Sequence, residues 1–158
     1  MILDIRHAFT DEKGELEIYF REKILYFASL SKKISLFDKN GESLMRPMKK
    51  GAFGKATLLE NNKKKSLLIL SKRDCEGKRY FGLLPSSRDR VYRAQILTKN
   101  GVNYLLLTHD KIPFAAAKIV DSGRSVCKLY LRDENKDLSV KVLYFVLLYL
   151  KTQKNNGL

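Results

Sequence analysis

The chain contains no tryptophan, three prolines, two histidines and two cysteines, and its most apolar stretch, Val140 to Leu150, is eleven residues long with Lys141 inside it. Each scarcity excludes something. Spanning a bilayer as a helix takes roughly 20 apolar residues, so a transmembrane anchor is not expected. The opening "MILDIRHAFTDEKGE" turns polar and acidic after a few apolar residues, unlike a secretory signal. Cys75 and Cys127 lie too far apart for a disulfide framework or a zinc knuckle, which predicts reduced, structural thiols in a cytoplasmic setting. His7 and His109 supply little for catalysis. His109 and Asp110 are chain neighbours that cannot build a triad alone, and no nucleophile-elbow pattern occurs. Ser86-Ser87 after Pro85 reads as a turn. No carboxylate pair has metal or general-acid spacing. The expectation is a protein that is not an enzyme and needs neither cofactor nor metal.

Acidic residues are also scarce, and unevenly so. Against 31 Lys and Arg stand 17 Asp and Glu, a formal net charge of +14. Residues 1–48 carry eight basic and eight acidic side chains, residues 49–100 fourteen and four, and residues 101–158 nine and five. A localised excess of this kind raises the surface potential and recruits polyanions, either nucleic acid or an anionic lipid face. The plainer alternative is lysine that keeps the protein soluble.

What is abundant is short, alternating apolar segments between glycine turns. "DEKGEL" (11–16), "DKNGES" (38–43), "DCEGKR" (74–79), "TKNGVN" (98–103) and "VDSGRS" (120–125) read as turns. Asn40-Gly41 and Asn100-Gly101 fit the type I′ hairpin, whose two central residues both take positive φ. Between the turns the pattern predicts strands over 2–9, 15–20, 23–29, 33–37, 43–47, 53–60, 66–71, 79–84, 90–98, 102–108, 112–120 and 124–131. In the last of these Cys127, Leu129 and Leu131 alternate with Lys128, Tyr130 and Arg132. About a dozen short strands imply a sandwich or a barrel.

The stretch "DLSVKVLYFVLLYLKTQ" breaks the alternation. It is too long for one ordinary strand, and leucine dominates it. It reads as a helix over about 139–152, with Asp137 or Ser139 as its cap, Lys151 and Lys154 near its negative pole and Asn156-Gly157 as its stop. A helix apolar on all sides must be surrounded on all sides. Its economical host is the inside of a closed sheet; the rival is docking on an open one.

A dozen antiparallel strands threaded by one apolar C-terminal helix resemble the tubby C-terminal fold, shared with the LURP-one-related proteins. The resemblance rests on strand count, on "DKNGES" and on "DENKDLSVKVLYFVLLYL" as last turn and core helix. It implies a non-enzymatic barrel and, by analogy with tubby proteins, a basic site for phosphoinositide head groups, without assigning binding residues. The expectation is therefore a mainly β, closed antiparallel barrel of about twelve strands around a C-terminal hydrophobic helix. One domain covers residues 1–153, with a short tail at 154–158.

The candidate anion-binding residues are Lys49, Lys50 and Lys55 around Gly51 and Gly54, then Lys63, Lys64 and Lys65, and Arg88, Arg90 and Arg93 in "PSSRDRVYR". Glycines let the backbone approach an anion, lysines supply point charges and arginine forks suit phosphate. "GAFGK" lacks P-loop spacing, so no nucleotide site is implied. Tyr92 could stack on a base, but it shares a strand face with Ala94 and Ile96, which fits core packing better. The expected ligand is an anionic phospholipid head group or membrane surface, bound peripherally by a cytoplasmic protein. Nucleic acid bound through the same charge is the alternative, and a protein-interaction scaffold a third.

Overall fold

The computed structural model describes residues 1–9, 14–31, 33–50, 55–60, 64–73, 79–84, 92–109, 112–132 and 136–155, with side chains at 1–9, 14–31, 33–46, 97–108, 112–120, 123–132 and 139–151. Alternating sequence becomes strand throughout. The strands are β1 (Ile2–His7), β2 (Glu15–Phe20), β3 (Lys23–Ser29), β4 (Ser35–Asp38), β5 (Ser43–Lys50), β6 (Lys55–Glu60), β7 (Lys64–Arg73), β8 (Arg79–Leu84), β9 (Tyr92–Lys99), β10 (Val102–His109), β11 (Ile112–Ser122) and β12 (Ser125–Leu131). They form one twelve-stranded antiparallel sheet in the order β8-β7-β6-β5-β4-β3-β2-β1-β12-β11-β10-β9. The chain is thus a meander whose first and last strands are hydrogen-bonded to each other. Most ladders carry a register shift, as at Ile5/Arg6, Ile18/Tyr19 and Leu107/Thr108. Each such bulge bends its strand and increases local twist, so the sheet is curved.

Burial follows the period of two. Leu3 and Ile5 of β1, Leu16 and Ile18 of β2, and Cys127, Leu129 and Leu131 of β12 all face the core. Register couples them, with Ile5 opposite both Ile18 and Cys127, and Leu3 opposite Leu129. One face of the sheet is therefore apolar from strand to strand.

Against that face lies α1 (Lys136–Asn155), about 30 Å long at 1.5 Å per residue. Every residue from Val142 to Leu147 is buried, and six consecutive helical positions sample the whole circumference. Over this stretch the helix is enclosed on all sides. Tyr144, deep in the core, donates its hydroxyl to the Ile34 carbonyl at 3.1 Å, just before β4 begins. Since β12 leads into the helix at the opposite end of the sheet, α1 runs from one end toward the other. We refer to these as the helix-entry and helix-exit ends.

Three sequence expectations need correction. The helix is longer than 139–152, so Ser139 lies inside it, buried rather than capping; Asp137 falls in the first turn, where a carboxylate suits the dipole. The stop at Asn156-Gly157 lies outside the described residues. Asn100 (φ 53°) and Gly101 (φ 77°) do make the expected hairpin turn. At Asn40-Gly41 only the glycine (φ 84°) has positive φ. There Asp38 reshapes the turn, its carboxylate accepting the amides of Asn40 and Glu42 at 2.9 Å each.

Among the described residues no helix is long and apolar enough to cross a membrane.

Candidate functional site

Because adjacent strands run antiparallel, the ends of β5 and β7 and the start of β6 lie at the helix-exit end, while the ends of β6 and β8 and the starts of β7 and β9 lie at the entry end. This divides the candidate cations into two groups. Lys49 and Lys50 close β5, opposite Thr57 and Ala56, and Lys55 opens β6 opposite Ile69, all toward the exit end. Lys64 and Lys65 open β7 opposite Glu60 and Leu59, and Arg93 stands near the start of β9 opposite Thr108, all toward the entry end. Lys63, Arg88 and Arg90, like Cys75, lie outside the described residues.

The two ends differ in their company. At the exit end Lys72 and Arg73 finish β7, Lys99 finishes β9, and exposed Lys33 precedes β4. Acidic strand-end residues there are few, Glu15 and Asp121 among them. At the entry end Glu22, Asp38, Glu42 and Glu60 are interspersed with Arg21, Lys23, Lys39, Lys64, Lys65 and Arg93. Among the described residues both ends carry more cations than carboxylates, and the exit end has the fewer carboxylates of the two.

A second constellation lies on the outer face of β2, β1 and β12, where sequence reading identified nothing. Asp4 stands opposite Tyr19 on one side and Lys128 on the other. Its Oδ2 accepts from Arg6 Nε at 2.8 Å and its Oδ1 from the Ser125 hydroxyl at 2.7 Å. Arg6 also reaches Glu22 Oε1 at 3.0 Å and lies 4.2 Å over the Tyr19 ring. Its pKa rises further above the ordinary guanidinium value, Asp4 contributing most and Glu22 next. Arg124 repeats the arrangement at the exit end, holding Glu17 Oε1 at 2.9 Å and stacking 3.3 Å over Phe9.

At the entry end of this network opens a groove of about 450 Å³, walled by Met1, Ile2, Asp4, Tyr19, Phe20, Arg21, Glu22 and Lys128. Its lip is the two-residue turn between β2 and β3. Arg21 (φ 51°) and Glu22 (φ 61°) both occupy the left-handed region that such a hairpin demands, though neither is Asn or Gly. The sequence signal for it was the two-residue gap between predicted strands, not the residue types.

On the inner face Cys127 is fully buried, and burial, followed by the charge of Asp4, pushes its thiol up to about 12. It is a packing group, not a thiolate nucleophile. Among the described residues no cluster of His, Cys, Asp and Glu is arranged to hold a metal ion. No family model, curated protein or solved structure matches the chain, so its own residues carry the functional reading.

Proposed function

We propose that this protein is a non-catalytic binding domain whose helix-exit end seats against anionic phospholipid head groups at a membrane surface. One observation carries the reading: strand order collects Lys49, Lys50, Lys55, Lys72, Arg73 and Lys99 at one end of the sheet with few acidic neighbours. Each lysine held near an acidic leaflet contributes about 1 kcal/mol, so several acting together suffice for peripheral attachment. The same charge would attract nucleic acid, with steep salt dependence. The proposal includes closure of the sheet into a barrel, as the tubby resemblance implies. Supporting it, β8 and β9, the two ends of the strand order, come within contact distance, and the helix is covered on every side from Val142 to Leu147. A rigid barrel would present its rim of strand ends as one surface.

Flotation of the full chain with phosphatidylglycerol and with phosphatidylcholine vesicles tests the reading. The chain should float with the former alone. Charge reversal at Lys49, Lys50 and Lys55 should abolish flotation, while reversal at Lys64 and Lys65 should leave most of it. Equal flotation with both vesicle types refutes the reading. So does a DNA shift that outlasts vesicle binding as salt is raised.

A further inference from the structure

The groove beside β1 has an uneven account of charge. Both Asp4 oxygens are occupied, by Arg6 and by Ser125, and Glu22 is held by Arg6. Arg6 in turn is spent on these two carboxylates and on the Tyr19 face. That leaves Arg21 and Lys128, and among the described residues neither has a carboxylate within ion-pair distance. In register Lys128 stands between Asp4 of β1 on one side and Lys118 of β11 on the other, so strand pairing leaves it no net partner.

The Met1 ammonium donates to the Leu131 carbonyl, and the rest of the wall is largely apolar. Ile2 is 54% exposed, and half-buried Phe20 and the Tyr19 ring complete the groove. Exposed aliphatic and aromatic surface beside unpaired cations is complementary to a ligand with an apolar body and an anionic head. The volume, about 450 Å³, falls in the usual range for small-molecule sites. The turn places one of the cations, because its two positive-φ positions are what a two-residue hairpin requires. Here they set Arg21 at the lip, its guanidinium 5.0 Å from the Phe20 ring centre, while Glu22 is tied down to Arg6.

We infer that this groove is a binding site for a small amphipathic anion, an alkyl phosphate or carboxylate. Lys128 and Arg21 take its head, and its chain lies along Ile2 and Phe20. The site does not depend on the basic rim, which lies at the other end of the sheet.

Titration calorimetry of the full chain with octyl phosphate, octanoate, octanol and inorganic phosphate tests it. Octyl phosphate or octanoate should bind. Octanol, lacking charge, and phosphate, lacking a chain, should bind at least about tenfold more weakly, because each offers half of the complementarity. Lys128→Ala and Arg21→Ala should each weaken octyl phosphate about fivefold, the scale of one charge-assisted contact at a partly exposed site. Lys33→Ala, and charge reversal at Lys49, Lys50 and Lys55, should change nothing, so failure here is distinct from failure of the rim. Octanol binding as tightly as octyl phosphate overturns the inference. Unchanged affinity in Lys128→Ala and Arg21→Ala variants with native circular dichroism also overturns it. If only phosphatidylglycerol vesicles bind, and Lys128→Ala leaves that intact, the anion belongs to the membrane at the rim and the groove is not its site.

Discussion

The two faces of β1 and β12 solve opposite problems with the same backbone. Inside, Leu3, Ile5, Cys127, Leu129 and Leu131 are covered by α1 and by one another, and no charge is present. Outside, the intervening residues Asp4, Arg6, Lys128 and Tyr130 meet water, and charge rather than area decides their partners. The inner face is stabilised by apolar area, at roughly 25 cal/mol per Å², and is complete. The outer face neutralises its carboxylates and leaves its cations over. The inner face specifies the fold, and the remainder on the outer face is what a ligand can read.

Removing the helix should destroy the inner face outright. Truncation after Asn135 strips the cover from every inward side chain, including the fully buried Leu143, Val146 and Leu147. The expected outcome is complete loss of cooperative unfolding, with 1–135 insoluble or unstructured by circular dichroism. A folded, soluble 1–135 fragment would show that the sheet makes its own core.

The next effect is alkaline and belongs to the inner face alone. Burial raises the pKa of Cys127 to about 12, and raises those of Tyr26, Tyr144 and Tyr149. A folded-state value above the unfolded one gives stability that is complete below the unfolded value and lost as pH rises through the folded one. Stability should therefore fall from about pH 9, where an unfolded thiol ionises, by about 1.4 kcal/mol per pH unit for that group. The tyrosines add their share above about pH 10. In denaturant melts, Cys127→Ala should flatten the decline between pH 9 and 10 and leave the steeper loss above it. An unchanged slope below pH 10 would show that Cys127 reaches water.

Most of the inner face was legible in the sequence because it is written at the period of the strand. Alternation in "SVCKLYL" predicted which side chains of β12 are inside, and the unbroken apolar run from Val142 predicted a helix covered all round. Outer-face features were harder for two physical reasons. Lys49, Lys50 and Lys55 are near neighbours of Lys64 and Lys65 in sequence and looked like one cluster, but β6 runs between the two groups. Six strand residues at about 3.4 Å each carry the chain to the other end of the sheet. The groove depends on contacts across chain distance, Arg6 with Glu22 and Ser125 with Asp4, which no spacing rule reveals. Only the Asp4–Arg6 pair, two apart on one strand face, left a local trace.

A single hydroxyl ties the helix to the segment before β4. Tyr144→Phe keeps the ring and its packing but leaves the Ile34 carbonyl without this donor. Loss of a buried partner costs about 1–2 kcal/mol. Urea midpoints should drop accordingly with unchanged m-value. No change would mean that burial alone holds the helix in place.

The smallest expected effect lies at Arg6, and it is the most discriminating between the faces. Its bonds to Asp4 and Glu22 are partly exposed, and the Glu22 side chain is 81% accessible, so solvent screens both. Arg6→Gln keeps most of the stem over Tyr19 and removes the charge. Stability should fall by no more than about 1 kcal/mol, since surface pairs of this kind contribute little. Ligand binding should respond more. With Arg6 neutral, Asp4 and Glu22 become uncompensated carboxylates on the groove wall, beside the cations that take the anion. Octyl phosphate affinity should drop at least as much as in Lys128→Ala, while the melt barely moves. If the melt falls by several kcal/mol and affinity holds, Arg6 is a structural clamp for the β2–β3 turn, and the outer face serves the fold as the inner one does.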